Sequence, residues 1–183
     1  MPDADQYDDA DRAVSMLRRR AAIWLWFLGG IEMVISLSLL AQVPQLKPLA
    51  AEDVAEMMGT AAVDSRLTGP AMATALSIVA CLFGLIPAAS FLISAFFIRA
   101  GRLPAMWVAL IGLYGQLAIV GFYLLASTAW ALQQGNPVGL TMVVLVFGTA
   151  AAALYHGAKT VHLAQRATRE IEDIASDPWR SDG

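Results

Sequence analysis

The chain has 183 residues, of which 58% are hydrophobic and 15% charged, with a formal net charge of −3 and a mean hydropathy of +0.60. A water-soluble domain of this length has too small a core to hide so much apolar surface, so a soluble globular protein is excluded. The single cysteine, Cys81, rules out an intrachain disulfide and a thiolate metal cluster, and the arginine cluster at 18–20 reads as a topology determinant and lipid-headgroup contact, with no nucleic acid expected.

Residues 1–20 read as an amphipathic helix: Tyr7, Ala10, Val14 and Leu17 recur at spacings of three and four among charged residues. Arg18, Arg19 and Arg20 then precede a long apolar run, 21–46, interrupted by one charge, Glu32. The run is too long for the apolar core of a secretory signal and carries an acid, so it reads as a retained span of about 21–42. A loop of residues 43–70 follows, punctuated by Pro44, Pro48 and Pro70. Within it Leu49 to Met58 has helical character, with Pro48 at its start and Gly59 past its end.

Residues 67–98 and 103–158 contain no charged residue. They divide into spans of about 71–98, 104–132 and 138–158, each at least as long as the roughly 20 residues that hydrocarbon requires. Arg99-Ala100-Gly101-Arg102-Leu103-Pro104 forms a tight turn with Pro opening the next helix, and Gln133-Gln134-Gly135-Asn136-Pro137 forms another. After the fourth span, Leu163, Ala167, Ile171 and Ile174 make a narrow apolar stripe. Ser176 to Gly183, with Pro178 and Trp179, has no helical pattern.

The expected fold is an all-α integral membrane protein, a four-transmembrane-helix bundle over 21–163. Helical extensions of spans 1 and 4 and a short helix in the first outer loop complete it, with 164–183 forming the second extension and a loose tail. Ten of the twelve Lys and Arg residues flank span 1 before its start, lie between spans 2 and 3, or follow span 4; only Lys47 and Arg66 lie elsewhere. That bias places both termini in the cytoplasm. Trp24, Trp26 and Trp107 near inner span ends, and Trp130 near an outer one, suit membrane interfaces. The two extensions are expected to pair antiparallel, with Asp8, Asp9 and Asp11 near Arg166 and Arg169. The setting is expected to be a bacterial inner membrane.

Counting residues from the span ends puts Glu32, Gln116, Ser90 and Thr149 at one depth, an expected polar layer inside the membrane. Pro87, at the same level, removes a backbone donor from span 2. A carboxyl in hydrocarbon usually faces the protein interior, pairs with another group, or marks an ion or substrate path. Small residues form ladders suited to close helix packing: Ala80, Gly84 and Ala88 in span 2, Gly112 and Gly115 in span 3, Gly148 and Ala152 in span 4. His156 and His162 are six residues apart on one helix and point different ways, so one chain offers no opposed pair for haem. No zinc-protease spacing, phosphate loop or nucleophile elbow occurs, so neither metal nor cofactor nor enzymatic activity is expected.

Gly29-Gly30-Ile31-Glu32 resembles the corresponding stretch of small multidrug exporters, which also have four helices and a membrane glutamate in the first. The chain departs from them in its 28-residue outer loop, its acidic amino-terminal extension and its charged tail. Two functions follow from the residues. One is a non-enzymatic accessory or assembly subunit, with the lipid bilayer and other membrane subunits, or further copies of itself, as partners. The other is a small proton-coupled transporter or channel with Glu32 as its titrating group.

Overall fold

The computed structural model describes residues 4–57, 68–133, 135 and 137–176. The described residues are helical, with no strand among them. The elements are α1 (Ala4–Leu46), α2 (Ala51–Met57), α3 (Gly69–Ala80), a π-helical turn (Cys81–Leu85), α4 (Ile86–Arg99), α5 (Leu103–Gln133) and α6 (Pro137–Ser176). Four stretches, Ala10–Leu46, Gly69–Arg99, Leu103–Gln133 and Pro137–Ile174, are long and apolar enough to cross a membrane.

Local chemistry sets the helix ends. Thr68 is extended and its hydroxyl accepts from the Ala71 N–H, capping α3, where Pro70 sits in the first turn and needs no donor. Leu103 and Pro104 open α5 in the same way. Gly101 holds the turn before it at φ +78°, a left-handed conformation in which a side chain is strained. A Cβ there would also come within 2.8 Å of Arg18 Nη1, so the guanidinium lies directly on the turn. Helix α1 runs through Pro44 to Leu46, four residues beyond the expected end of span 1. So close to the helix end, the missing proline donor removes one backbone bond and does not break the helix.

The chain forms two compact units, residues 29–89 and residues 1–28 with 90–183. In the second unit, α1, α4, α5 and α6 enclose a continuous apolar core. Leu25, Phe91, Ile98, Met106, Leu113 and Val161 are each fully buried in it. Gly112 makes room for Phe91: a Cβ on it would lie 2.8 Å from the ring. Gly157 likewise lets α6 approach Leu28, 3.0 Å from its would-be Cβ.

The amino-terminal part of α1 reaches this core through Leu17, which is partly buried and packs against it; Val14 is also buried, and Ala10 is exposed. The side chain of Tyr7, like those of Asp8 and Asp9, lies outside the described residues, as does the segment 177–183 with Trp179. On α6 the buried face differs from the expected stripe. Val161, Ala164, Gln165 and Thr168 are buried, whereas Leu163 and Ile174 are 46% and 39% exposed. The seam contains two polar residues, which a search for apolar periodicity passes over. Arg18 Nε donates to Thr168 Oγ1 at 3.1 Å, and that hydroxyl donates to the Ala164 carbonyl at 2.7 Å. Asp11 makes no ion pair with Arg166 or Arg169 among the described residues. The Arg169 guanidinium instead lies over the Trp107 ring, 5.3 Å from its centroid.

Phe91 is the largest side chain with no exposed surface. Phe91→Ala is expected to lower unfolding stability by about 3–5 kcal/mol, read by thermal or denaturant unfolding of the detergent-solubilised protein.

Candidate functional site

Most hydroxyl side chains on the apolar helices bond to their own helix. Ser38, Thr74, Ser77, Thr141, Thr149 and Thr160 each donate to the carbonyl four residues back, at 2.6–2.9 Å. This back-bonding removes the need for a partner in an environment without water. A carboxylate has no proton to donate, so Glu32 has no such route.

Glu32 belongs to the unit 29–89, where α1 packs against α3 and the π turn. Its side chain is partly buried, and Oε2 is fully enclosed without accepting a hydrogen bond from any described residue. Beside it lies a cleft of about 120 Å³. Glu32, Ile35, Ser36 and Leu39 line one wall; Val79, Ala80, Phe83 and Gly84 line the other. Spacings of three and four put the α1 residues on one helix face.

The opposite wall is shaped by the π turn. The Ile86 N–H donates to the Cys81 carbonyl, five residues back, which widens the helix by one residue. The widening ends just before Pro87, whose ring would crowd the carbonyl four residues behind it in a regular α-helix. Gly84, in this turn, is buried against Ser36; a Cβ on Gly84 would collide with Ser36 Oγ. Ser36 is itself 2% exposed. Thus glycine permits close contact at one end of the cleft while the adjacent carboxyl keeps space beside it. Cys81 opens the same turn as a half-buried free thiol.

The four residues of the expected polar layer divide between the two units. In the second unit, Gln116 is buried and Ser90 is half-buried. Thr149 is exposed, and its hydroxyl is taken up by the Leu145 and Val146 carbonyls at 2.6 and 3.0 Å. It therefore turns away from the core of its unit. The small-residue ladders also divide. Ala80, Gly84 and Ala88 are buried, and Gly112 receives Phe91. A Cβ on Gly115 or Gly148 would meet nothing within 4 Å, and Ala152 is exposed. Spacing identifies a ladder but not which side of the helix the chain itself covers.

The sequence points to neither Ser36 as a cleft residue nor Gln165, whose Nε2 is buried without a hydrogen-bond partner. Ser36 does carry a signal, since it stands four positions after Glu32 on the same face. Gln165 carries none. Among the described residues no group of three or more His, Cys, Asp or Glu side chains could hold a metal ion. His156 meets Trp24 edge-on, with centroids 5.1 Å apart, and His162 is exposed. No family model matches the sequence, and no curated protein or solved structure is detectably similar to it.

An enclosed acceptor with no donor costs about 1–3 kcal/mol. Glu32→Leu is therefore expected to stabilise the isolated chain by an amount in that range, measured by thermal unfolding in detergent. A loss of stability would show that the carboxyl makes a bond the fold needs.

Proposed function

We propose that the protein is a non-enzymatic multi-pass membrane protein that serves as an accessory or assembly subunit of a larger complex in a bacterial inner membrane. Lipid as the main solvent is supported by the surfaces of the long helices after the first. Phe96, Ile111, Phe122, Leu125, Val138 and Val146 are each at least 60% exposed. In water such surfaces would drive association.

The observation that carries the subunit reading is the unengaged packing face of α6. The most apolar 18-residue window of this helix is 6% buried, against 22% in each of the other three. Gly148, Thr149 and Ala152 lie on this poorly covered stretch, and the Gly148 backbone has open space where a Cβ would stand. Small residues matter in membranes because they let another helix approach closely, where hydrocarbon offers no hydrophobic drive. Among the described residues nothing lies within 4 Å of a Cβ built on Gly148, so a helix of another subunit, or of a second copy, would fit there. The basic residues support an orientation with both termini in the cytoplasm.

Solubilisation in mild detergent is expected to co-isolate stoichiometric partners, and Gly148→Leu to reduce that recovery at least several-fold while leaving the chain folded. Recovery of the wild-type protein only as a partner-free monomer would count against the subunit reading. Single cysteines placed at residue 5 and residue 175 of a Cys81→Ser chain are expected to be labelled from the same side of the membrane. Labelling from opposite sides would overturn the orientation.

A further inference from the structure

We infer that the turn between α4 and α5, with Arg18 laid on it, holds the phosphate of an anionic phospholipid headgroup. This goes beyond the subunit role and depends neither on it nor on which side of the membrane the turn faces.

Three elements of one compact unit bring basic side chains together here. The turn is closed by its own backbone: the Gly101 N–H donates to the Ile98 carbonyl at 2.9 Å and the Arg102 N–H to the Phe97 carbonyl at 3.1 Å. Arg99 and Arg102 stand on either side of Gly101, and both are exposed. Arg18 arrives from α1. Its Nη1 and Nη2 lie 2.8 and 3.3 Å from where a Cβ on Gly101 would stand. Its Nε donates to Thr168 Oγ1 on α6, at 3.1 Å. That bond holds the guanidinium from behind and sets its other two nitrogens on the turn. The next residue of α6, Arg169, lies over Trp107 near the start of α5.

The charge of this turn is uncompensated. Neither α4 nor α5 contains an acidic residue, and neither Arg99 nor Arg102 pairs with a carboxylate among the described residues. Asp173 stands one turn past Arg169, so that arginine has an acid within reach on its own helix. The turn has none. Like charges gathered there repel one another, and a phosphate among them turns repulsion into attraction.

Geometry separates this arrangement from a basic flank that merely orients the chain. A flank needs charge alone, which lysine supplies as well as arginine. A guanidinium fixed through Nε presents its Nη pair as a planar fork, and phosphate oxygens accept from such a fork two at a time. The surroundings favour a lipid over free phosphate. Phe96, one turn before Arg99 on α4, and Ile111, one turn after Trp107 on α5, are both strongly exposed. Acyl chains attached to a phosphate on the turn would run along these apolar side chains, whereas an inorganic ion would make no use of them. A choline headgroup carries its own cation beside its phosphate, so it answers the uncompensated charge poorly.

The test titrates the full chain in detergent with phosphatidylglycerol or phosphatidylcholine of identical acyl chains and counts retained lipid by native mass spectrometry. One phosphatidylglycerol per chain is expected to be retained about tenfold or more tightly than phosphatidylcholine. A large excess of inorganic phosphate is expected not to displace it. The double variant Arg99→Lys/Arg102→Lys keeps every charge and removes two forks; it is expected to weaken retention about fivefold or more with unchanged helical content. Arg18→Lys is expected to act likewise, and the double variant, at exposed positions, decides alone if Arg18→Lys does not fold. Equal retention of the two lipids by the wild-type chain would overturn the proposal. So would wild-type retention in either folded variant, which would reduce the site to unspecific attraction, or displacement by inorganic phosphate, which would make it a free-anion site. None of these results bears on the co-isolation of protein partners.

Discussion

Hydrocarbon offers no hydrogen bonds, so every polar group on a helix that crosses it must be served by the protein. The backbone meets this demand by being helical throughout the described spans. The hydroxyl side chains meet it by turning back onto carbonyls of their own helix, as Thr141 does with Pro137 and Thr160 with His156. These bonds need no neighbouring element, so they leave the outer faces of the helices free to be apolar. Glu32 is the group that this economy cannot serve, and the structure around it is correspondingly irregular. Residues of a π turn and a close glycine–serine contact line the cleft beside it.

Two kinds of packing hold the described chain together. In the core of residues 1–28 and 90–183, large side chains such as Phe91 and Leu113 are seated against Gly112 and Gly157, so bulk on one helix answers a missing side chain on another. Small and large residues facing each other allow close-packed interiors without strained rotamers. Toward the end bearing the 99–102 turn, the same helices continue with polar fastening: Arg18 on Thr168 and on the Gly101 turn, Arg169 over Trp107. Such contacts suit a region where water and lipid headgroups can solvate whatever part of the guanidinium the protein leaves open.

The four long helices are legible in the sequence because an uninterrupted apolar run of about 20 residues matches the thickness of hydrocarbon and little else. Their ends are legible where a residue imposes geometry, as with Pro70 and the turn containing Gly101; the Thr68 cap is not announced by the apolar pattern. Pro44 misleads because the rule that proline ends helices ignores how little is lost in a last turn. Pro87 announces a disturbance in the second span, but placing the extra residue at Cys81–Leu85 depends on which carbonyls find donors, and that is a property of the folded helix. The buried face of α6 departs from the apolar stripe because Gln165 and Thr168 share it with Val161 and Ala164. Apolar periodicity sees only half of such a seam. Glu32 is conspicuous as a lone charge. The cleft beside it is not, because its far wall comes from uncharged residues some fifty positions along the chain.

Glu32 and the open face of α6 lie in different units, and their chemistry also separates them. The α6 face is built from what is missing: side chains small enough to admit a helix backbone, with Thr149 already satisfied by its own turn. A surface of that kind recognises shape over an extended length and has no use for charge. The Glu32 cleft is lined mostly by apolar side chains, with Glu32 and Ser36 as its only side-chain oxygens among the described residues. The cleft and the α6 face draw on separate side chains.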